Sequence, residues 1–416
     1  MIQDNNKYYN SLKYYVDFLF KKAYRRVEYY GKEKIPQDGA IIYAPNHTNT
    51  LMDALAVLAI DQRAKVFVAR ADIFKKPLIN KILTFLKMLP IHRQRDGVET
   101  LSKNEEVNNI VVNAMRAKVP FCILPEGTHR TMHSLLPLKK GIFRIAMQAN
   151  DAFGNQMPVY FVPVGIVLGN FFRFRSTLLL QVGEPINVTE FVKARSHLDQ
   201  PQQIHELRKE LFERMKAEIL YVRDDENYEG TWQLARLQNK NRKSLIDRYK
   251  TIKENIKNIE NELKSNPQQT QKLLDKAKDF AQKRHALGIG MDSVLNKHLG
   301  ISIFLKSILL LVTFPYFVFS AIVTSPVTAL SAWLCKKFED KAFHNTVRFL
   351  VAMVMLPLFL LIFSIIVFAV FSWKIGIIFM LLYIPSFFFL HEYLRLIRIL
   401  ISDIKLLLHK DIMIKV

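Results

Sequence analysis

The C-terminal quarter of the chain constrains its fold more than any other stretch. No charged residue occurs from Ser307 to Cys335, none from Phe349 to Phe371 (FLVAMVMLPLFLLIFSIIVFAVF), and none from Ile375 to Leu390. A bilayer-spanning helix takes about 20 predominantly apolar residues, and soluble cores do not stack apolar runs this long so close together. The pattern predicts a membrane domain over 301–416, with hydrophobic segments at about 303–335, 349–371 and 375–391. Pro315 and Pro326 interrupt the first run, and proline removes a helical hydrogen bond and bends the chain. A bent span or a re-entrant hairpin is therefore expected there. Lys336, Lys337, Lys341 and Arg348 follow the first run, and Arg395, Arg398, Lys405 and Lys410 follow the last, with only Lys374 between the second and third. Short basic loops stay in the cytoplasm, so the remainder of the chain is expected on the cytoplasmic face.

Three stretches of different texture precede this domain. Residues 1–35 interleave tyrosine and phenylalanine with Lys13, Lys21 and Lys22. They read as amphipathic helices, either at a membrane interface or packed on the domain that follows, with neither the core nor the cleavage site of a signal peptide. Residues 36–225 alternate strand-like segments (GAIIYA, AKVFVA, VPFCIL, VYFVPVGIVL, TLLLQVG) with helix-like ones (LMDALAVLAI, EEVNNIVVNAMRAK, GIFRIAMQAN). That alternation predicts an α/β domain with a mixed sheet flanked by helices. Pro163, inside a strand pattern, marks an edge or a bulge. Residues 226–300 are polar and charged with helical spacing, broken at KSNPQQTQ, and read as a helical hairpin arm.

The net charge of +22 calls for an anionic partner: nucleic acid, an anionic membrane, or phosphorylated substrates. The basic residues are spread along the chain without a nucleic-acid-binding module, and the apolar C-terminus accounts for them better through membrane lipids. No nucleic-acid partner is expected. Cys122 and Cys335 are too few for a disulfide framework or a metal site.

The chemistry-bearing residues lie in the α/β stretch. APNHTNTLMDAL places His47 in the turn between a strand and a helix, with Asn49 or Thr50 as candidate caps of that helix. A histidine in a loop is by default a solvated residue, but Asp53 sits on an otherwise apolar helix and needs a partner. If His47 folds back, Asp53 accepts from one ring nitrogen and the other is left as a base for a substrate hydroxyl. Further on, MLPIHRQRD carries Arg93 and Arg95, whose planar guanidinium groups suit phosphate. FCILPEGTHR carries Glu126, Gly127 and Thr128 at a strand end, and LKKG places Lys139 and Lys140 before a helix start, a plausible anion site. His129 and His133 lack a third ligand at metal-binding spacing.

Asn-His with a later Asp, then Pro-Ile-x-Arg, Pro-Glu-Gly-Thr and Val-Pro-Val, in that order, closely resembles the phospholipid/glycerol acyltransferase family over residues 35–215, with VGEPI (Val182 to Ile186) as a late strand of the domain. The resemblance implies His47 as general base and Asp53 as its orienting carboxylate. It implies Arg93, Glu126 and Gly127 at the phosphate and glycerol of the acceptor, and Asn46, Thr128, Lys139 and Lys140 are further candidate substrate-binding residues beside them. Five residues separate His47 from Asp53, Thr48 to Met52, where the commonest family pattern has four. The longer spacing resembles the branch that includes the fungal glycerol-3-phosphate and dihydroxyacetone-phosphate acyltransferases, which also carry C-terminal membrane segments. The expected activity is therefore transfer of a fatty acyl group from an acyl thioester, acyl-CoA or acyl carrier protein, to the hydroxyl of glycerol-3-phosphate or a related phosphorylated glycerol, without metal or other cofactor. The alternatives are a lysophosphatidate acyltransferase, a lysophospholipid-remodelling acyltransferase, and a non-catalytic lipid-binding scaffold.

Overall fold

A computed structural model describes residues 2–4, 6–92, 103–154, 156–239 and 244–409, and the chain divides into two compact units, Met1–Ile219 and Leu220–Val416. In the first unit, helix α1 (Lys7–Ala23) starts at Asn6, whose side-chain oxygen accepts from the Tyr8 and Tyr9 N–H groups. It buries Tyr9, Leu19 and Phe20 and leaves Tyr8, Tyr14 and Phe18 exposed. Lys7 and Lys22 stand over the Tyr8 and Phe18 rings.

Then follow β1 (Arg26–Tyr30), β2 (Ala40–Pro45), α2 (Leu51–Leu58), β3 (Val66–Arg70), α3 (Pro77–Phe85), β4 (Met88–Ile91), α4 (Lys103–Arg116), β5 (Phe121–Cys122), α5 (Gly141–Phe153), β6 (Val159–Leu168), β7 (Thr177–Val182), β8 (Ile186–Asn187), α6 (Val188–Lys193) and α7 (Gln200–Ala217). The strands form one mixed sheet in the order β1-β7-β6-β2-β5-β3-β4, with β8 on β6. β6, β2, β5, β3 and β4 are parallel, while β7 and β8 run antiparallel to β6. The predicted α/β class with flanking helices is what forms. β2 is buried at all six positions, as an interior parallel strand requires. The carboxyl ends of the parallel strands share one edge of the sheet, the end at which open α/β sheets bind ligands.

Two local expectations change, and one further strand appears. Residues 26–30, grouped with the N-terminal helices on composition, form β1 and pair with β7. The apolar run before Arg93 is β4, parallel to β3. Pro163 is at neither an edge nor a bulge: it pairs with Ala44 of β2 on one side, and on the other β8 partners end at Phe161 while β7 partners begin at Val164. Its missing N–H falls where one neighbour gives way to the next, and its carbonyl still accepts from Gly183 N–H at 2.9 Å.

The second unit starts with α8 (Tyr228–Leu237), α9 (Leu245–Ser265), α10 (Pro267–Ala286) and the short α11 (Met291–Val294). α9 and α10 form the expected hairpin, broken at Asn266, and α8 packs against both. Then come α12 (Leu299–Cys335), α13 (Phe343–Val370) and α14 (Trp373–Leu408), three helices long and apolar enough to cross a membrane. α12 runs as helix through Pro315 and Pro326 for 37 residues, about 56 Å at 1.5 Å per residue. The chain therefore does not turn back in a re-entrant loop there. Three tyrosine hydroxyls tie these helices by donating to backbone carbonyls: Tyr393 to Leu310 at 2.9 Å, Tyr316 to Leu382 at 2.7 Å and Tyr383 to Leu356 at 3.3 Å. Lys306 of α12 pairs with Asp403 of α14 at 2.5 Å.

One close approach gives a test of packing. A methyl group at Gly165 of β6 would lie 1.9 Å from the carbonyl oxygen of Glu218, whereas one at Gly141, in the first turn of α5, would meet nothing within 4 Å. Gly165→Ala is expected to destabilise the first unit by about 1–3 kcal/mol or more. Gly141→Ala should be neutral or stabilising by about 0.5–1 kcal/mol. Denaturant midpoints of the two variants decide it, and equal midpoints would contradict the packing described.

Candidate active site

β2 and β5 are neighbours in the sheet, so the residues that follow them emerge side by side. Asn46 carries the β2 ladder one residue further. Its N–H donates to Val164 O at 3.3 Å, its side-chain amide donates to Ile166 O at 3.1 Å, and its side-chain oxygen accepts from Ile166 N–H at 2.6 Å. The chain then leaves the sheet at His47 with its backbone already held by both neighbours. His47 N–H donates to Glu126 Oε1 at 2.7 Å, and His47 O accepts from Arg130 N–H at 3.0 Å.

Asp53 lies in the first turn of α2 and is 1% exposed. Its Oδ2 accepts from Thr48 N–H and Asn49 N–H, each at 2.6 Å, and stands 2.9 Å from His47 Nδ1. Oδ1 has no donor among the described residues. A carboxylate can only accept, so Nδ1 of the neutral ring carries the hydrogen and Nε2 the lone pair. The side chain of His47 is 15% exposed, which leaves that nitrogen reachable. The five-residue spacing is accommodated in a turn where Thr50 adopts φ +45°, an uncommon backbone region for a β-branched residue. Thr50 occupies the cap position without a side-chain capping bond, and Asn49 instead donates from its side chain to Phe171 O at 2.7 Å. Behind the helix, Lys65 Nζ bonds Leu58 O at 3.3 Å and Asp61 Oδ1 at 2.8 Å. Lys32 Nζ bonds Ile60 O at 2.6 Å. Cations at the C-terminal carbonyls suit the helix dipole. Burial pushes the Lys65 ammonium down to about 8.

Glu126 is 2% exposed and holds backbone on both sides, His47 N–H through Oε1 and Leu136 N–H through Oε2 at 2.8 Å. Burial pushes its carboxyl up from 4.5 to about 7. The two N–H donors and His47 oppose that rise, and the Asp53 charge adds to it.

The structure thus brings His47, Asp53 and Glu126 together, but it corrects two expected roles. Asn46 and Glu126, expected to touch substrate, have their side chains committed to backbone. Gly127, at φ +70°, and Thr128 are exposed beside them. Lys139 bonds Pro125 O through its N–H at 2.7 Å and lays its stem along Gly127, 3.0 Å from where a Cβ would stand. Lys140 occupies the N-cap position of α5, and both lysines are exposed. Arg93 and Arg95 lie outside the described residues, although Asn104 of α4 pairs its side-chain amide with both the N–H and C=O of His92, each at 2.9 Å. Sequence reading weighed His129 only as a metal ligand, whereas its ring packs edge-on to His47 with centroids 5.5 Å apart, and it passed over Arg130, whose N–H donates to His47 O. Both stand in the quoted FCILPEGTHR, one strand away from His47, where proximity in space leaves no mark in the sequence.

Residues 26–167 match the family model described as Acyltransferase. The match covers about a third of the chain. Curated relatives named 1-acyl-sn-glycerol-3-phosphate acyltransferase include that of Cocos nucifera, 27% identical over 150 residues covering 36% of this chain and 44% of the relative. Another is that of Limnanthes douglasii, 28% identical over 109 residues covering 26% of this chain and 37% of the relative. The chain spans less than half the length of these relatives. The crystal structure of the 1-acyl-sn-glycerophosphate acyltransferase PlsC from Thermotoga maritima aligns at a TM-score of 0.37 and 21% identity, over 50% of this chain and 78% of that one.

Glu126 gives the first unit a defined pH response. A raised folded-state pKa contributes stability that is fully present below the unfolded value of 4.5 and is lost as the pH rises through about 7. At about 1.4 kcal/mol per pKa unit, the stability of the native chain relative to Glu126→Gln should fall by about 3 kcal/mol between pH 4.5 and pH 8. Denaturation of both proteins across that range tests it, and a pH-independent difference would show that Glu126 does not titrate there.

Proposed function

We propose that the chain is an O-acyltransferase that moves a fatty acyl group from an acyl thioester to the hydroxyl of a phosphorylated glycerol acceptor at a membrane surface. The observation that carries this is the His47–Asp53 pair, 2.9 Å between Nδ1 and Oδ2, with Nε2 left as base. An alcohol is a weak nucleophile at neutral pH. His47 Nε2 takes the hydroxyl proton as the oxygen attacks the thioester carbonyl, and Asp53 stabilises the imidazolium that results. The carbon–sulfur bond then breaks, and the imidazolium returns its proton to the departing thiolate. The thioester of coenzyme A or of acyl carrier protein meets this requirement equally.

The names of the relatives favour 1-acylglycerol-3-phosphate as acceptor. A second reading, glycerol-3-phosphate, is supported by the five-residue His–Asp spacing and by the membrane helices that follow the domain. In both, Arg93, Lys139 and Lys140 supply positive charge for the acceptor phosphate. A cytoplasmic catalytic domain suits this reaction, because soluble thioesters are found there.

His47→Ala is expected to lower turnover by about 10²- to 10⁴-fold while the protein stays folded and membrane-bound. Near-normal turnover in a clean preparation would sink the mechanism. Arg93→Ala should raise the apparent KM for the phosphorylated acceptor more than that for the acyl donor, because it removes a charge-assisted contact. Steady-state kinetics with labelled acyl-CoA and acyl carrier protein, against glycerol-3-phosphate, dihydroxyacetone phosphate and lysophosphatidate, measure both effects. They also decide between the two acceptors.

A further inference from the structure

Arg284 of α10 reaches α8 through Gln233, and the charges of Arg284 and of Arg248 on α9 both act on Arg236 of α8. Arg284 of α10 is 3% exposed. It donates to Ile289 O at 2.7 Å and to Gln233 Oε1 at 3.3 Å, and its Nη2 stands 2.8 Å from His285 Nε2. Its Nε has no acceptor among the described residues. Arg236 of α8 is half-buried, stacks over the Trp232 ring at 5.3 Å, and hydrogen-bonds to no acceptor among the described residues. Among the described residues, the guanidinium of Arg248 on α9 pairs with Asp292, 3.6 Å away and itself 70% exposed. The other nearby carboxylate, Glu229, accepts from Gln233 at 2.8 Å.

The charges do not balance locally. Burial, followed by Arg284 and Arg248, pushes the Arg236 guanidinium down to about 10, and burial also lowers Arg284. Burial and Arg284 hold His285 below its ordinary value, so its ring can accept from Arg284 instead of adding charge. Bringing guanidinium groups together out of water is costly without a matching anion. A tetrahedral oxyanion matches such a group best, because it accepts from several planar donor forks at once.

We infer that Arg236, Arg248 and Arg284 form a binding site for a phosphate-bearing anion, built wholly from the second unit and independent of the acyl-transfer reading. A phospholipid headgroup and a free phosphate present the same chemistry.

The test uses full-length protein in a neutral detergent. Its thermal midpoint is followed in chloride and in inorganic phosphate at matched ionic strength, and separately with dihexanoyl phosphatidate. Protection is expected from phosphate if the free ion suffices, and from phosphatidate alone if the glycerolipid is needed. Arg236→Gln and Arg248→Gln should each weaken the apparent affinity by about tenfold, the loss of roughly one charge-assisted hydrogen bond. Arg236→Lys should fall between. Arg93→Gln, which removes the phosphate contact proposed for the acyl-transfer centre, should leave the protection intact, which separates the two sites. Arg248 is more than one-third exposed, so its substitution spares the packing even if that of Arg236 does not. Absence of protection by either probe, or equal protection in the Arg248→Gln protein, would overturn the inference.

Discussion

A single carboxylate oxygen organises the catalytic end of the sheet. Oδ2 of Asp53 receives two backbone N–H groups and faces the imidazole of His47, so the turn from His47 to Asn49 is wrapped around the first turn of α2. Buried carboxylates are costly unless they are well hydrogen-bonded, and three partners on one oxygen answer that requirement. The same contacts fix the tautomer and the direction of the ring. Everything else near the site holds this turn in place. Asn46 fastens it to β6, Glu126 to the chain after β5, Asn49 to the β6–β7 loop, and Lys65 and Lys32 steady the far end of α2.

Much of the fold was legible because burial imposes a pattern. VYFVPVGIVL was read as a strand and forms β6 over the same residues, since a strand flanked on both sides must be apolar almost throughout. β1 escaped for the opposite reason. RVEYY is half-exposed at the sheet edge, carries charge, and borrows its order from β7, some 150 residues further on in the chain. Pro163 was misjudged because the rule against proline in a ladder assumes continuous neighbours, and here β8 and β7 share one side of β6 in succession.

The site was legible at the level of residue types and not of roles. His47 and Asp53 were paired from spacing and from the oddity of a carboxylate on an apolar helix. The spacing could not say that Thr50 would take a positive φ to close the turn. Asn46 and Glu126 were singled out as unusual, yet their partners are backbone groups: Ile166 of β6, 120 residues from Asn46, and for Glu126 His47 in the turn after β2, 79 residues away, and Leu136. A side chain that braces a site and one that touches a substrate are the same letter in a sequence. Only the position of the neighbouring strands separates them.

The tyrosines of the apolar helices carry a consequence of their own. Lipid-facing helices have little to fix their relative height, because one leucine-rich surface slides past another at small cost. Hydroxyls of Tyr393, Tyr316 and Tyr383 each close on one particular carbonyl of a neighbouring helix, and no water is at hand within hydrocarbon to replace those bonds. A shift of α14 by one residue would strand all three hydroxyls at once. Registry in this part of the molecule is thus set digitally, at three notches, rather than by the continuous fit of apolar surfaces.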